Sequence, residues 1–265
     1  MKLNCPNCGV THAGPFPVNC EECGEQIYDR RALKHVVGLS GGKDSTALAL
    51  RLAEIEPRDY EYICNETGNE LPEMKAHWDK LEKMLGKPIK RVRYEKDLEG
   101  TIEQMNMLPS VFARWCTRVL KIEPTIEYMA TLPPSSVLYV GLRADEEERK
   151  GLFGEDIAVR FPMREWGWKE SDVWAYLNQR GVCIPKRTDC AWCPYQRLGE
   201  WRDLYNEHPV IWQRGVELER ERGATFRSPG RDTWPADLES LGKEFASGRK
   251  LRAYKRNETC RVCSL

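Results

Sequence analysis

The chain has 265 residues, enough for one complete α/β domain with small appendages or for two modest domains. Its 41 basic and 41 acidic residues balance, so no global field draws the protein to nucleic acid or to a membrane surface. No apolar run approaches the roughly 18 residues that a membrane-spanning helix needs, and the first residues lack the apolar core of a signal peptide. We therefore expect a cytoplasmic protein without a membrane partner.

The 11 cysteines indicate metal sites rather than disulfides, because a reducing compartment disfavours disulfides. Eight of them form C-x-x-C pairs, in which a short turn directs two thiolates at one ion. The four pairs are Cys5/Cys8, Cys20/Cys23, Cys190/Cys193 and Cys260/Cys263. Three further cysteines stand alone, and of these Cys64 follows a strand pattern and reads as part of the core.

Residues 1–32 are rich in cysteine, glycine and proline and have almost no periodic apolar pattern. A metal must therefore fold this segment in place of a core. Two C-x-x-C turns form a good tetrahedral site, and we predict a structural zinc ribbon, with an iron–sulfur centre as the less favoured alternative. The predicted zinc ligands are Cys5, Cys8, Cys20 and Cys23. Ribbons often contact nucleic acid, which is weak support for an RNA or DNA partner.

From residue 33 the pattern changes to strands alternating with helices. An apolar run at 35–39 ends in a glycine-rich turn, and a helix pattern follows with Leu48, Leu52 and Ile55 on one face. Further strand patterns lie at 60–64, 91–94 and 137–140, and helix patterns begin at Pro72 and near residue 118. The alternation predicts an α/β domain over residues 33–182 with a doubly wound, mostly parallel sheet. Ligands of such sheets bind beyond the carboxyl ends of the strands.

Residues 183–265 have the pattern of a helical, cysteine-containing C-terminal region. A cysteine-rich turn leads into helix patterns that carry Leu198, Trp201 and Leu204 and are interrupted near Pro209. Residues 224–236 have the composition of a loop. The tail is basic over 249–256 and ends in the fourth C-x-x-C pair. Such a basic run can contact phosphates, although a solvated surface is its more common role.

The turn between the first strand and the first helix has the composition of a phosphate-binding loop. Its six residues are Ser40, Gly41, Gly42, Lys43, Asp44 and Ser45. Glycines let backbone N–H groups approach an anion, and the N-terminus of the helix adds a partial positive charge. The lysine and the two serine hydroxyls complete a pyrophosphate cradle, whereas the spacing of a Walker A motif is missing.

This loop resembles the PP-loop of enzymes that split ATP between its α and β phosphates and leave an adenylated substrate. The resemblance implies ATP with magnesium as the nucleotide and catalytic roles for Lys43 and Asp44.

Four further segments resemble phosphoadenosine-phosphosulfate (PAPS) reductases and their relatives, over about residues 34–195. Residues 66–73 resemble the Thr-Gly segment after that family's second strand, and residues 115–124 and 161–176 resemble two more of its motifs. Gly141-Leu142-Arg143 resembles its G-x-R motif, in which guanidinium groups grip phosphate or sulfate. The resemblance adds four residues to the predicted nucleotide site: Thr67, Gly68, Gly141 and Arg143.

In the iron–sulfur branch of that family, a Cys-Cys pair and a later C-x-x-C bind a 4Fe–4S cluster. The matching residues are Cys116, Cys190 and Cys193, with Trp115 in place of the first cysteine. The fourth iron either stays open to a substrate or sulfide or takes another thiol. The candidates for that thiol are Cys183, Cys260 and Cys263.

Two other roles for these cysteines stay open. The two later C-x-x-C pairs could together bind a second zinc, which would leave Cys116 as a buried thiol. Reductases of the family also carry a nucleophilic cysteine near the C-terminus, and Cys263 has a similar position, although the neighbouring Gly and His are absent.

The resemblance implies ATP-dependent sulfur transfer, plausibly to a nucleic-acid base, with a sulfur donor or reductant protein as a partner. The alternative is reduction of a sulfonucleotide such as PAPS, which the intact loop disfavours because family reductases usually carry a degraded loop. A third reading is a nucleotide- or nucleic-acid-binding protein without turnover. The oligomeric state is open, with a homodimer as one option.

Overall fold

A computed structural model of the chain describes residues 2–14, 18–27, 33–134, 136–146, 148 and 157–251. The N-terminal part carries two small antiparallel hairpins, each built around one C-x-x-C turn. They are β1 (Lys2–Asn4) with β2 (Thr11–Ala13) and β3 (Val18–Asn19) with β4 (Gln26–Ile27). In both turns a glycine of positive φ, Gly9 or Gly24, donates its N–H to the carbonyl of the first cysteine, at 3.0 and 2.8 Å. The two turns therefore repeat one geometry.

A five-stranded parallel sheet forms the centre of the fold. Its strands are β5 (His35–Gly38), β6 (Tyr60–Asn65), β7 (Ile89–Val92), β8 (Val137–Tyr139) and β9 (Ala158–Arg160). They lie in the order β7-β6-β5-β8-β9. The direction of winding reverses between β5 and β8, and the crevice at such a reversal is where doubly wound sheets bind ligands. The predicted parallel, doubly wound fold is confirmed.

Helices cover both faces of this sheet. In chain order they are α1 (Lys43–Ile55), α2 (Pro72–Leu85), α3 (Leu98–Met105), α4 (Trp115–Thr117), α5 (Glu123–Ala130), α6 (Pro162–Glu165) and α7 (Glu170–Gln179). A π-helical turn, Arg118–Ile122, joins α4 to α5. Neighbouring residues of β5 face opposite sides of the sheet, as in any strand. Val37 therefore packs with α1, α2 and α7, whereas Val36 packs with α5.

Three C-terminal helices complete the described chain: α8 (Leu198–Glu207), α9 (Pro209–Arg222) and α10 (Leu238–Ala246). Their apolar residues share one core with α3 and α4, in which Trp201 and Phe226 pack with Leu98 and Trp115. The predicted interruption at Pro209 and the loop after α9 are confirmed. Among the described residues, no helix is both long and apolar enough to cross a membrane.

One expectation about an individual element differs from the structure, and another lies outside the described residues. The strand pattern extended to Tyr94, but β7 ends at Val92, whose carbonyl accepts from the N–H of Glu66 at 3.1 Å. The chain then turns into α3, where the Asp97 side chain caps the helix by accepting from the N–H of Gly100. The basic tail from residue 252 onwards, with the pair Cys260 and Cys263, lies outside the described residues.

Glu219 is a buried carboxylate that holds both ends of the loop after α9. It accepts the backbone N–H of Phe226 at 2.8 Å and that of Leu238 at 2.6 Å. Burial raises its pKa from the ordinary 4.5 to about 7, against the effect of these two hydrogen bonds. The folded protein therefore keeps a proton on Glu219 at a pH where the unfolded chain has lost it.

We predict that this proton makes stability depend on pH. The contribution is fully present below pH 4.5 and is lost as the pH rises through about 7. Relative to Glu219→Gln, which does not titrate, the wild type should lose up to about 3 kcal/mol of unfolding free energy over that range. Urea unfolding of both proteins at several pH values measures the difference. Parallel pH profiles would contradict the prediction.

Candidate functional site

The phosphate loop connects β5 to α1 and is pressed against α2. Gly41 has a φ of 86°, and a Cβ atom at this position would lie 2.2 Å from Cε of Met74 and 2.9 Å from Nε1 of Trp78. The Trp78 indole N–H also donates to the carbonyl of Ser40 at 2.9 Å. Both the backbone conformation and the available space therefore require glycine at position 41.

Two hydroxyls lie together at the start of α1. The Oγ atoms of Ser40 and Ser45 are 3.0 Å apart, and the N–H groups of Gly41 and Gly42 donate to them at 3.2 and 3.4 Å. The two hydroxyls thus lie at the N-terminus of a helix, where its dipole favours negative charge. This donor set suits a phosphate or pyrophosphate group.

Arg143, which follows β8, contacts the charged residues at the start of α1. Arg143 directs Nη1 at both carboxylate oxygens of Asp44, each at 3.0 Å, and Lys43 Nζ lies 3.1 Å from Oδ2 of the same carboxylate. Gly141 makes this approach possible, because a Cβ atom there would lie 3.2 Å from the backbone of Asp44 and Ser45. The structure thus brings these two G-x-R residues onto the loop, at the crevice between β5 and β8.

His77 lies under this loop and was not predicted from the sequence. It is buried on α2, and desolvation lowers the pKa of its imidazole to about 4, although the Gly41 backbone favours the charged form. The ring is therefore neutral at pH 7 and adds no charge to the loop. A single histidine within a helix pattern gives no signal of such a position.

The Thr-Gly segment that follows β6 lies beside the thiol cavity and contacts two carboxylates. The N–H and hydroxyl of Thr67 both donate to Glu70 Oε1, at 2.8 and 2.6 Å, and Gly68 packs against Asp97. Thr67 lines a cavity that also contains thiols. Nucleotide binding by Thr67 and Gly68 therefore stays a prediction.

The same segment holds the second C-x-x-C turn in place. Asn69 accepts the N–H of Ala191 on its backbone carbonyl at 2.7 Å and the N–H of Trp192 on its side chain at 3.2 Å. These bonds join residues more than 120 positions apart. Asn69 was another residue that the sequence did not single out.

The thiols of Cys116, Cys190 and Cys193 line one cavity of about 190 Å³. Lys121 and Asp189 also line it. The structure therefore brings together the three cysteines that the sequence assigned to a cluster. Cys183 does not line this cavity, and the other two candidates for a fourth ligand lie outside the described residues.

The surroundings of these thiols favour ionisation of one of them. Hydrogen bonding with Cys193 lowers the pKa of Cys190, whereas burial raises the pKa of Cys116. Desolvation lowers the pKa of Lys121, but the negative charge of Cys190 and Asp189 outweighs it and raises that pKa. Lys121 thus supplies a positive charge beside thiols whose metal-binding form is the thiolate.

The two groups of cysteines differ in how closely their sulfur atoms lie. Cys5 and Cys23 are 3.5 Å apart, as are Cys8 and Cys20, and all four sulfurs lie within 4.8 Å of one another. A tetrahedral zinc with bonds of about 2.3 Å needs sulfurs about 3.8 Å apart, so this set fits one ion.

The cavity thiols are not all packed as closely as the N-terminal set. Over the described ranges, the N-terminal cysteines are the only group of three or more His, Cys, Asp or Glu residues with all ligand atoms within 4.8 Å. At least one pair of sulfurs among Cys116, Cys190 and Cys193 is therefore farther apart than 4.8 Å, whereas Cys190 and Cys193 hydrogen-bond with each other. Three thiols around one cavity suit the ligation of an iron–sulfur cluster, in which each thiolate binds a different iron.

A larger groove of about 1490 Å³ extends from the phosphate loop along the C-terminal helices. Lys43 lines this groove, and Asp189 and Tyr195 line both the groove and the thiol cavity. Thr188 lies beside the loop, since a Cβ atom on Gly42 would be 3.6 Å from its hydroxyl. The phosphate loop and the thiols therefore open onto adjoining spaces.

The family model of the phosphoadenosine phosphosulfate reductase domain matches residues 34–203. The chain therefore belongs to this family, a group within the PP-loop superfamily.

Two curated relatives come from Methanocaldococcus jannaschii. The uncharacterized protein MJ0066 is 25% identical over 211 residues, which cover 74% of this chain and 44% of that protein. The uncharacterized protein MJ0973 is 26% identical over 198 residues, which cover 69% of this chain and 47% of that protein. The chain thus spans about half the length of the curated relatives it matches.

Two solved structures are similar at low identity. A PAPS reductase from Candida auris in complex with phosphate has a TM-score of 0.44 and 14% identity, covering 58% of this chain and 74% of that chain. The U34-tRNA thiolase NcsA from Methanococcus maripaludis, with its 4Fe–4S cluster, has a TM-score of 0.43 and 18% identity, covering 100% of this chain and 97% of that chain. Similarity this low says nothing of a shared activity.

We predict that Gly41→Ala disrupts the phosphate loop, whereas Gly42→Ala is tolerated. Alanine at position 41 meets Met74 and Trp78 and a positive φ, which costs about 1–2 kcal/mol even without the clash. Alanine at position 42 keeps its N–H and meets only two hydroxyls at 3.6 Å. Thermal unfolding and ATP affinity of both variants are the measurements. Equal behaviour of the two variants would show that the loop is not pressed against α2.

Proposed function

We propose that this protein is an ATP-dependent sulfurtransferase that thiolates a base of a nucleic acid. One observation carries the proposal. Lys43 of the phosphate loop lines a groove that shares Asp189 and Tyr195 with the cavity lined by three thiols. Activation of an acceptor and delivery of sulfur to it need such proximity, because the reacting groups must meet within a few ångströms.

In the activation step, an oxygen of the acceptor attacks the α-phosphorus of ATP. The bond to the bridging oxygen breaks and pyrophosphate leaves. The loop N–H groups and hydroxyls would hold the leaving pyrophosphate, and Lys43 would offset its charge together with magnesium. Asp44 would orient Arg143, which it holds through both carboxylate oxygens, towards the nucleotide.

In the second step, a sulfur nucleophile attacks the activated carbon, the carbon–oxygen bond breaks and AMP leaves. Cys116, Cys190 and Cys193 would hold a 4Fe–4S cluster, which when bound supplies iron able to carry the incoming sulfur. Lys121 would stabilise these residues as thiolates. A separate sulfur donor protein would replenish the sulfur, and the zinc ribbon would be structural.

Aromatic residues on and near the thiol cavity support a nucleobase as the acceptor. Phe112 is 92% exposed, and the adjacent Val111 carbonyl accepts from the hydroxyl of Tyr195 at 3.1 Å. The guanidinium of Arg114 lies 4.9 Å from the centre of the Tyr195 ring, and both residues line the cavity. Exposed aromatic rings beside a cation are typical of sites that stack unpaired bases.

We predict that Lys43→Ala lowers the rate of pyrophosphate release from ATP about 100-fold or more, because it removes a charge that stabilises the leaving group. Lys80→Ala, a change of an exposed lysine on α2, is the control and should leave the rate unchanged. The assay uses anaerobically purified protein with measured iron and zinc contents, an unmodified tRNA pool, and either ATP or PAPS.

The same assay separates the competing functions. Pyrophosphate from ATP, dependent on Lys43, supports the sulfurtransferase. Sulfite from PAPS without pyrophosphate from ATP would identify a sulfonucleotide reductase instead. Nucleotide binding without either product would indicate a binding protein.

We predict that Phe112→Ala weakens binding of single-stranded RNA, because loss of one stacked base costs about 1–3 kcal/mol. Val210→Ala is the matched control, since Val210 is an apolar residue of similar exposure, 81%, on a different element, α9. Fluorescence anisotropy with a labelled oligonucleotide measures both affinities, and ATP affinity should not change. If both variants bind RNA like the wild type, Phe112 is not a stacking platform.

A further inference from the structure

Arg187 is a buried cation beside the thiol cavity. Its side chain is 8% exposed, and Nη2 donates to the carbonyls of Cys190 and Ala191 at 3.3 and 3.4 Å. Its Nη1 is buried without a hydrogen-bond partner. No carboxylate in the part of the chain that the structure describes forms an ion pair with this guanidinium.

A second buried arginine shows the usual arrangement. Arg227 is also buried, and its Nη2 lies 2.8 Å from the carboxylate of Asp232. Burial of a charge is costly unless the charge is paired, which is why such residues carry counter-ions. Arg187 differs from Arg227, because Glu200 and Asp189 act on it only at a distance and none of the described carboxylates contacts its guanidinium.

The two carbonyls that Arg187 binds belong to the C-x-x-C turn itself. Cys190 and Cys193 line the cavity whose thiols fit a cluster, and the guanidinium is held against the backbone of that turn. A cluster bound by thiolates carries net negative charge, and this charge increases by one when the cluster is reduced. Such a centre would add a negative charge beside this guanidinium.

We propose that Arg187 is the counter-charge of an anionic cluster held by Cys116, Cys190 and Cys193, and that it raises the reduction potential of that cluster. The inference rests on the cluster assigned in the proposed function. Arg187 is a positioning and tuning residue here, because it acts through the cluster ligands and not on the substrate.

Gln196 provides a matched control for the hydrogen-bonding part of this role. It is fully buried, and its Nε2 donates to the same two carbonyls of Cys190 and Ala191. Gln196 thus supports the turn as Arg187 does but carries no charge. Comparison of the two residues separates charge from support of the backbone.

The experiment compares the full-length wild type with Arg187→Gln, Arg187→Lys and Gln196→Met. Each protein is reconstituted anaerobically with ferrous iron and sulfide. Iron and acid-labile sulfide per chain, visible absorption, and the reduction potential from a dye-equilibrated titration are measured. Thermal unfolding is recorded for each protein before and after reconstitution.

The proposal expects a more negative potential for Arg187→Gln and a potential near that of the wild type for Arg187→Lys and Gln196→Met. It also expects reconstitution to raise the unfolding temperature less in Arg187→Gln than in the wild type. A purely structural role predicts the opposite pattern, in which Arg187→Gln and Gln196→Met lose stability equally with and without iron and the potential does not move.

Failure of the inference and failure of the proposed function are distinguishable. If the wild type binds iron and Arg187→Gln has the same potential and the same gain in unfolding temperature, only the counter-charge is overturned. If neither the wild type nor any variant binds iron, both the counter-charge and the cluster are overturned. Pyrophosphate release by the wild type, measured in parallel, tests the activation step independently of either result.

Discussion

The contact between the phosphate loop and its two neighbours is the constraint on which the site depends. On one side, Gly41 packs against Met74 and Trp78 of α2, and on the other, Gly141 after β8 packs against the first backbone groups of α1. These two approaches place the N-terminus of α1 at the reversal of the sheet, where its dipole and hydroxyls point into the crevice. Arg143 then reaches Asp44 because the strand that carries it ends beside the loop.

Residues 187–196 connect this loop to the thiol cavity. Thr188 lies beside Gly42, Asp189 lines both spaces, and Arg187 and Gln196 hold the carbonyls of the C-x-x-C turn. The turn is also held from the opposite direction by Asn69. Its carbonyls and N–H groups are thus bound by protein groups on both sides, which fixes the turn independently of its thiols. Preorganisation of this kind reduces the cost of assembling a site.

The two cysteine sites contrast in what supports them. The N-terminal site has a tiny apolar core, in which Ile27 packs with two of the cysteines themselves, so we expect folding of that segment to depend on a bound metal. The cavity thiols instead lie on a large core shared between α3, α4 and the C-terminal helices. We therefore expect chelation to unfold the first site and to leave the scaffold of the second intact.

The sequence alone determined the features that short segments specify. Strand and helix periodicity predicted the parallel sheet, the Ser40–Ser45 hexapeptide predicted the phosphate loop, and C-x-x-C spacing predicted the close-packed thiols of residues 5–23. Only the tertiary structure decided that Asn69 supports the later turn and that Arg187 is buried with one guanidinium nitrogen that no described residue hydrogen-bonds. The physical reason is that these roles depend on contacts between residues distant in the chain and on burial, and neither leaves a periodic or compositional trace in a local pattern.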